Sequence, residues 1–333
     1  MLEKKVSTNF LEKHESIREG DIVFVVVSSK KMFSLKVKPG ETFTTKYGCI
    51  KHSDLIGRKY GSKFVLPRGW IYLLAFNPEL WTANLPHRTQ ILYTVDISLI
   101  LFKLNLKPGC VVIEAGTGSG SLSHAFIRTI SPNGLLYSYD FHQDRLIKAD
   151  EEFSDHGVSH LVKTGHRDVC EQGFGLDHAA DALFLDIPYP WKAIAFARDA
   201  LKPQGARLCC FSPCIEQVQK TRLALEENCF IDIETIECLQ RPYQVKNIPL
   251  KEYDFEPTAP SHPSKEEKKS LDAIHDEEVD QMQNMDSDKG PSSPLQSQPI
   301  ASSDSIKSSS HLKVVPQIQI TGHTGFLTFA FKI

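Results

Sequence analysis

Between residues 79 and 253, short apolar runs alternate along the chain with longer amphipathic segments. Runs of this length bounded by turn residues predict buried strands, and the segments between them predict helices. The predicted strands are Cys110–Glu114, Leu135–Asp140, Leu161–Thr164, Ala182–Asp186, Ala206–Ser212 and Ile231–Leu239. The predicted helices are Ser121–Ile130, Asp144–His156, Trp191–Leu201 and Ile215–Cys229. Regular β/α alternation predicts an α/β fold with a doubly wound, mostly parallel sheet.

The preceding region, residues 16–78, has a different pattern, after an N-terminal extension of residues 1–15. Short β-rich runs are separated by turn residues such as Pro39-Gly40 and Arg68-Gly69. Strands at this spacing predict a small β-barrel-like domain or sandwich. No catalytic constellation occurs in this region, so we interpret it as a packing or binding module.

Residues 254–314 are rich in Ser, Pro, Gln and acidic residues. This composition predicts a disordered insertion, because too little apolar surface is available to offset chain entropy. The segment that follows contains a strand-like run, Gly325–Phe331. A single strand must join a sheet to bury its faces, so we expect it beside Ile231–Leu239. The catalytic domain would then comprise residues 79–253 plus 315–333.

Composition narrows the classes of protein to which the chain could belong. Hydrophobic residues make up 41% of the chain, yet no apolar run reaches the 18 residues that a transmembrane helix needs. The N-terminal segment lacks the apolar core of a signal peptide. The eight cysteines include no C-x-x-C pair, so we expect no metal site. The net charge is −3, and the acidic insertion accounts for it, which leaves a mildly basic folded part that permits an anionic partner.

The first predicted strand of the sheet runs into the turn Glu114-Ala115-Gly116-Thr117-Gly118-Ser119-Gly120. Glycines allow a backbone to approach a ligand closely, and open α/β sheets bind ligands at the carboxyl ends of their strands. The spacing G-x-G-x-G differs from the dinucleotide fingerprint G-x-G-x-x-G. It suits S-adenosylmethionine, which has no pyrophosphate to bind. The turn alone remains a weak signal.

Carboxylates follow three further strands. Asp140 ends the second strand, where it could accept hydrogen bonds from ribose hydroxyls. Asp168 follows the third and could accept the exocyclic amine of adenine. Either residue could instead serve as a helix cap or turn residue. Asp186 ends the fourth strand.

Asp186 opens the segment Asp-Ile-Pro-Tyr-Pro-Trp, whose two prolines stiffen the edge of the cleft. Enzymes that methylate nucleobase nitrogens often have a D/N-P-P-aromatic loop here, from which this segment departs. N1 of adenine already carries a lone pair, so Asp186 need not act as a strong base. Its carboxylate would accept a hydrogen bond from the N6 amine and stabilise the charge that develops on the ring. A capping role for Asp186 is the alternative.

Several motifs in order resemble one family, the catalytic subunit of eukaryotic tRNA (adenine-58, N1) methyltransferase. They are Leu85–Tyr93, Glu114–Gly120, Phe141–Gln143, Asp186–Pro188, Phe211–Gln217 and Gly322–Gly325. The resemblance covers roughly residues 15–253 and 322–332. It implies a Rossmann-like class I S-adenosylmethionine methyltransferase domain after a β-domain, and methylation of a T-loop adenine of tRNA, with T-loop-like mRNA sites as a further expected substrate.

The resemblance also implies a partner and a location: a related non-catalytic subunit, two copies of each in a heterotetramer, and the nucleus. Carried over by position, Asp186 matches the catalytic carboxylate. The expected cofactor contacts are Leu92, Glu114, Gly116, Gly118, Ser119, Gly120, Ser121, Asp140, Arg145, Asp168, Val169 and Asp186. The expected tRNA contacts are Val27, Ser28, Ser29, Thr42, Lys46, Tyr47, Gly69, Trp70, Gln90, Tyr93, Thr94, Ser212, Pro213, Gln217 and Thr324.

The chain departs from the family at Asp140, where Glu is usual, and the insertion at 254–314 is long. Three aromatic residues, Trp70, Tyr93 and Tyr189, could stack on an extruded base, although core packing is the alternative for each. Two other functions remain open. One is a non-catalytic RNA-binding paralogue, which would be expected to lose the glycine turn and the carboxylates. The other is methyl transfer to a different substrate such as a protein carboxylate.

Overall fold

The computed structural model describes residues 10–28, 31–86, 88–251, 308–317 and 324–333. Most of the segment that we expected to be disordered, as well as Ser29, lies outside the described residues. Two compact units divide the chain, one formed by residues 1–240 with 321–333 and the other by residues 241–320.

The β-rich N-terminal region folds into six strands. They are β1 Ile22–Ser28, β2 Lys31–Lys36, β3 Thr42–Thr45, β4 Gly48–Lys51, β5 Lys63–Leu66 and β6 Gly69–Ala75. An antiparallel sheet has the order β2-β1-β6-β5, and β3 pairs with β4. Strand β1 is a continuous apolar run because both of its faces are buried. Val23 and Val25 face the small core of this region, whereas Phe24 packs on Phe76 in the core of the following domain.

The remaining strands are β7 Val111–Ala115, β8 Leu135–Asp140, β9 Val162–His166, β10 Ala182–Leu185, β11 Arg207–Ser212, β12 Phe230–Ile236, β13 Tyr243–Lys251, β14 Ser308–Pro316 and β15 Phe326–Lys332. A seven-stranded sheet has the order β12-β15-β11-β10-β7-β8-β9. Strands β7 to β11 are parallel, and β15 runs antiparallel between β11 and β12. The α/β fold class and the pairing of β15 with β12 are therefore confirmed.

Seven α-helices connect and cover these strands: α1 Pro78–Thr82, α2 Thr94–Lys103, α3 Ser121–Ile130, α4 Gln143–Asp155, α5 Val169–Gln172, α6 Pro190–Ala200 and α7 Ile215–Glu227. Parallel strands covered on both faces are apolar on both faces. In β10, Phe184 therefore faces one buried cluster, and Leu183 and Leu185 face the other. In the described part of the chain, no helix has the length and apolar character to cross a membrane.

One expectation was wrong. Residues 308–314, which we expected to be disordered, belong to β14, which pairs antiparallel with β13 along its whole length. The segment is polar and acidic on average, but its last residues differ from this average. Leu312 and Val314 are separated by one polar residue, which is the spacing of side chains on one face of a strand. The hairpin belongs to the unit of residues 241–320 and not to the sheet of the other unit.

Candidate active site

The glycine turn after β7 meets the end of β10 backbone to backbone. Gly116 has φ +101°, and a Cβ atom there would lie 2.3 Å from the carbonyl oxygen of Asp186. The Asp186 amide donates to the carbonyl of Ala115 at 2.9 Å. Only glycine permits this approach, which fixes the carboxylate of Asp186 relative to the turn.

Glu114 is buried at the end of β7. Its Oε2 accepts hydrogen bonds from Ser123 Oγ at 2.6 Å and from Ser138 Oγ at 2.7 Å. Burial raises the pKa of Glu114 to about 7; the two serine hydroxyls oppose this shift, and the charges of Asp186 and Asp140 add to it. The carboxyl group is thus held in one orientation with its charge poorly solvated.

Asp140 binds the glycine turn directly. The Gly118 amide donates to its Oδ2 at 2.9 Å, and the His142 amide donates to its Oδ1 at 2.8 Å. Each carboxylate oxygen can accept a second hydrogen bond, so a ribose hydroxyl would still find an acceptor. Asp140, which is shorter than the Glu that is usual in the family, therefore holds the glycine turn through the Gly118 amide.

Asp186 completes a set of three carboxylates at the ends of neighbouring parallel strands. Burial raises its pKa to about 7, and the negative charge of Asp140 contributes to the increase. Asp186 and Glu114 lie on one cleft with about 310 Å³ of empty space. Its lining consists of Thr89, Gln90, Ile91, Leu92, Glu114, Gly116, Thr117, Gly118, Ser119, Gly120, Ser121, Leu122, Phe184 and Asp186.

The cleft thus brings together eight of the expected cofactor residues. They are Leu92, Glu114, Gly116, Gly118, Ser119, Gly120, Ser121 and Asp186. Asp140 does not line the cleft and contacts the turn through the Gly118 amide. Asp168 caps α5, where its Oδ1 accepts from the Cys170 amide at 2.9 Å, and the side chain of Val169 is buried. Arg145 lies on α4, partly exposed. The roles of these residues in cofactor binding stay predictions.

Ser119 of the turn and Ser121, the first residue of α3, hold the loop that precedes α2. Ser119 Oγ accepts hydrogen bonds from the amides of Arg88 at 2.9 Å and Thr89 at 3.1 Å. Arg88 also forms a bidentate ion pair with Glu152 of α4, at 2.6 and 2.9 Å. We had not singled out Arg88, Thr89 or Glu152 individually. Ser121 Oγ donates to the Leu92 carbonyl at 3.3 Å. These contacts place the loop beside the cleft.

Two histidines lie buried on the other side of the turn. His124 Nδ1 donates to the Gly120 carbonyl at 2.6 Å, so its Nε2 is the acceptor for His156 Nδ1, at 2.7 Å. Phe10, Phe76 and Trp81 pack on the pair. Burial lowers the pKa of His124 to about 4 and that of His156 to about 2. The pair had no sequence signal, because an isolated histidine in an apolar pattern looks like any half-buried residue.

The positions expected to contact tRNA differ in accessibility. Exposed are Ser28, Thr42, Lys46, Trp70, Gln90, Tyr93, Thr94, Pro213 and Thr324, and partly exposed are Tyr47, Gly69 and Gln217. Val27 and Ser212 are buried, Ser212 completely, so neither presents a side chain to RNA. Gly69 is packed against the Tyr47 ring, which lies 2.5 Å from the position of a Cβ atom.

Comparison with known proteins identifies the family. A model described as the tRNA methyltransferase complex GCD14 subunit matches residues 69–332, and a TrmI-like N-terminal model matches residues 16–63. The chain belongs to the GCD14 family. A relative from Eremothecium gossypii, the tRNA (adenine(58)-N(1))-methyltransferase catalytic subunit TRM61, is 39% identical over 97% of this chain and 87% of its own length.

Solved structures share the fold of this family member. An S-adenosylmethionine-dependent O-methyltransferase from Thermotoga maritima superimposes with a TM-score of 0.68 at 24% identity, covering 96% of this chain and 95% of its own. The tRNA (m1A58) methyltransferase TrmI from Aquifex aeolicus has a TM-score of 0.63 at 20% identity, covering 96% and 99%. At these identities the likeness establishes the fold, a Rossmann-like methyltransferase sheet after a TrmI-like N-terminal domain.

Proposed function

We propose that this chain transfers the methyl group of S-adenosylmethionine to N1 of adenine 58 in tRNA, as a catalytic subunit. The observation that carries the proposal is the cleft that Glu114, Asp186 and the glycine turn line, with Asp140 holding the turn, in a member of the GCD14 family. Its curated relatives are named for this reaction.

The cleft fits the cofactor. Gly116, Gly118 and Gly120 all line the cleft, so the turn presents backbone without side chains at these positions. Glu114 and Asp140 supply carboxylate oxygens for ribose hydroxyls. S-adenosylmethionine would supply the electrophilic methyl group. In the described ranges, no cluster of three or more His, Cys, Asp or Glu is arranged for a metal ion.

Asp186 is the residue that we assign to the substrate base. N1 of adenine has a free lone pair, so the enzyme needs to orient the base and stabilise positive charge rather than remove a proton. A carboxylate that accepts a hydrogen bond from the N6 amine does both. Because burial raises its pKa to about 7, Asp186 is only partly ionised at neutral pH in the ligand-free protein.

The alternatives are less well supported. A non-catalytic paralogue would be expected to lose the glycine turn and the strand-end carboxylates, whereas this chain keeps Gly116, Gly118 and Gly120 together with Glu114, Asp140 and Asp186. A protein carboxylate is already anionic, so Asp186 would repel it. Adenine is neutral before transfer and cationic after it, which matches a buried carboxylate.

The test is incubation of the full-length chain with labelled S-adenosylmethionine and unmodified tRNA, followed by nucleoside mass spectrometry. We expect 1-methyladenosine at position 58. The assay includes the chain alone and the chain co-expressed with a related second subunit. Absence of 1-methyladenosine in both would refute the proposal, and labelled protein without labelled RNA would favour the carboxylate alternative.

We further propose that the active form is a heterotetramer with a non-catalytic subunit, located in the nucleus, and that T-loop-like mRNA sites are also substrates. The β13–β14 hairpin supports a protein partner. Tyr243, Val245, Leu312 and Val314 lie on one face of it, and each is at least 57% exposed. Apolar faces of this kind mark interaction sites. Native mass spectrometry of the co-expressed subunits tests the stoichiometry.

A further inference from the structure

A cluster of aromatic and basic side chains lies where the segment that follows Asp186 leads into α6. The rings of Tyr189 and Trp191 meet edge to face, with centroids 5.5 Å apart. Lys192 Nζ lies 5.3 Å from the centroid of Tyr189, and Lys220 Nζ of α7 lies 5.0 Å from that of Trp191. We call these four residues the α6–α7 cluster.

The position of the cluster follows from the chain. Tyr189 is three residues beyond Asp186, so the two Cα atoms are at most about 11 Å apart. The Tyr189 side chain is 53% exposed, and both lysines are exposed. A large aromatic residue that remains half exposed next to a catalytic carboxylate is not contributing to a core.

The backbone beneath the cluster is firmly held. Gln217 Nε2 donates to the Pro188 carbonyl at 3.0 Å, while its Oε1 accepts from the Cys214 amide at 3.2 Å. Each amide atom of Gln217, which we expected to contact tRNA, thus makes one hydrogen bond within the protein. Together with the two prolines that flank Tyr189, this link restrains the backbone that carries the ring.

We propose that the α6–α7 cluster binds the unpaired RNA strand next to the target adenine, with Tyr189 stacking on a base and Lys192 and Lys220 contacting phosphates. This inference rests on the proposed function. Its support is the combination of an exposed ring with two ammonium groups, which matches the π-faces and negative backbone of single-stranded RNA. A T-loop adenine must leave its stack to enter the cleft, and an adjacent ring would replace the lost stacking.

The experiment measures steady-state methylation of unmodified tRNA by the full-length chain, together with any subunit that its activity requires. For Tyr189→Ala we expect about a tenfold increase in KM for tRNA, because stacking on one base is lost. Tyr189→Phe should retain the wild-type KM, since phenylalanine also stacks. Phe102→Ala removes an exposed aromatic residue on α2 and serves as the control.

The lysines are tested by the salt dependence of tRNA binding. The double substitution Lys192→Gln with Lys220→Gln should reduce the slope of log K against log salt by about two. The matched control, Lys107→Gln with Lys148→Gln, removes two exposed lysines that are not in the cluster. Affinity for S-adenosylmethionine and the melting temperature should be unchanged in all variants, which excludes a folding defect as the cause.

The outcomes separate the two proposals. Wild-type protein that forms no 1-methyladenosine overturns the proposed function and this inference with it. If the wild type is active, an unchanged KM in Tyr189→Ala together with an unchanged salt slope in the lysine variant overturns this inference alone. An equal loss in Tyr189→Phe and Tyr189→Ala also contradicts stacking, because only the hydroxyl would then matter.

Discussion

Two groups of buried titratable side chains flank the same glycine turn, and burial acts on them with opposite sign. On the cleft side, it raises the pKa values of Glu114 and Asp186. On the other side, it lowers those of His124 and His156. In each group, burial favours the uncharged form. Only the carboxylates lie on a cleft, whereas the histidines are enclosed by aromatic rings and hold the Gly120 carbonyl.

This difference between the two groups shows how the glycine turn can lie beside reactive carboxylates and still be held rigidly. Carboxylates with raised pKa values destabilise the fold as pH rises from about 4 to 7, because the unfolded chain releases protons that the native protein retains. Histidines with lowered pKa values destabilise it as pH falls below about 6.5, since only the unfolded chain then gains protons. The buried carboxylates reduce the stability of the fold but are available for the reaction. The histidines take no part in the reaction and hold the Gly120 carbonyl in place.

The largest effect should come from removing the Asp186 carboxylate from the cleft. We expect Asp186→Asn to reduce kcat at least 100-fold, because the group that stabilises charge on the base is lost. The variant should also melt a few degrees higher at pH 8, since a poorly solvated charge is removed. Asp177→Asn, at a highly exposed position, is the control. A loss in kcat below threefold would mean that the cleft side is not catalytic.

The turn itself can be tested by adding one methyl group. Gly116→Ala places a Cβ atom 2.3 Å from the Asp186 carbonyl, so we expect affinity for S-adenosylmethionine to fall more than tenfold. Gly109 has a similar φ of +91°, with no atom within 4 Å of a Cβ position. Gly109→Ala therefore has the backbone strain without the collision. Calorimetric titration that finds equal affinities in the two variants would contradict this account of the turn.

The histidine side is tested by stability against pH. In the wild type, each histidine contributes about 1 kcal/mol per pH unit to the loss of stability below pH 6.5. The double substitution His124→Gln with His156→Gln keeps polar atoms but cannot titrate. We expect a lower melting temperature at pH 7 and a weaker decrease between pH 6.5 and 4.5. His160→Gln, on an exposed histidine, is the control. An unchanged pH slope would show that the pair is protonated in the folded protein.

The smallest expected effect concerns the electrostatic interaction between Asp140 and Asp186. The value of kcat/KM for tRNA should increase with pH through about 7, as Asp186 ionises in the free protein. Removing the negative charge of Asp140 lowers the pKa of Asp186, so Asp140→Asn should shift this limb to lower pH by less than about one unit. The pH profile of kcat/KM is the measurement. A shift to higher pH would exclude coupling between the two carboxylates.

The parallel core was predictable because strands covered on both faces are continuous apolar runs, and each run ends at a polar residue. For this reason, the sequence placed Glu114, Asp140 and Asp186 at strand ends, and the structure brings Glu114 and Asp186 to one cleft.

Features that depend on contacts distant in sequence could not be predicted. The His124–His156 hydrogen bond and the Arg88–Glu152 ion pair join elements that only the tertiary fold brings together. The same limit applies to accessibility. Val27 and Ser212 fall within segments that resemble RNA-binding ones, yet both residues are buried, which the segment alone does not reveal.

The central position of β15 between β11 and β12 has a consequence for synthesis of the protein. Both neighbours leave the ribosome long before β15 is translated, and until then each has an unpaired edge. The nascent chain must therefore hold an incomplete sheet while the intervening residues are made. We expect this interval to be the time at which the growing polypeptide depends most on chaperones, and a ribosome stalled before Phe326 should display a protease-sensitive β12.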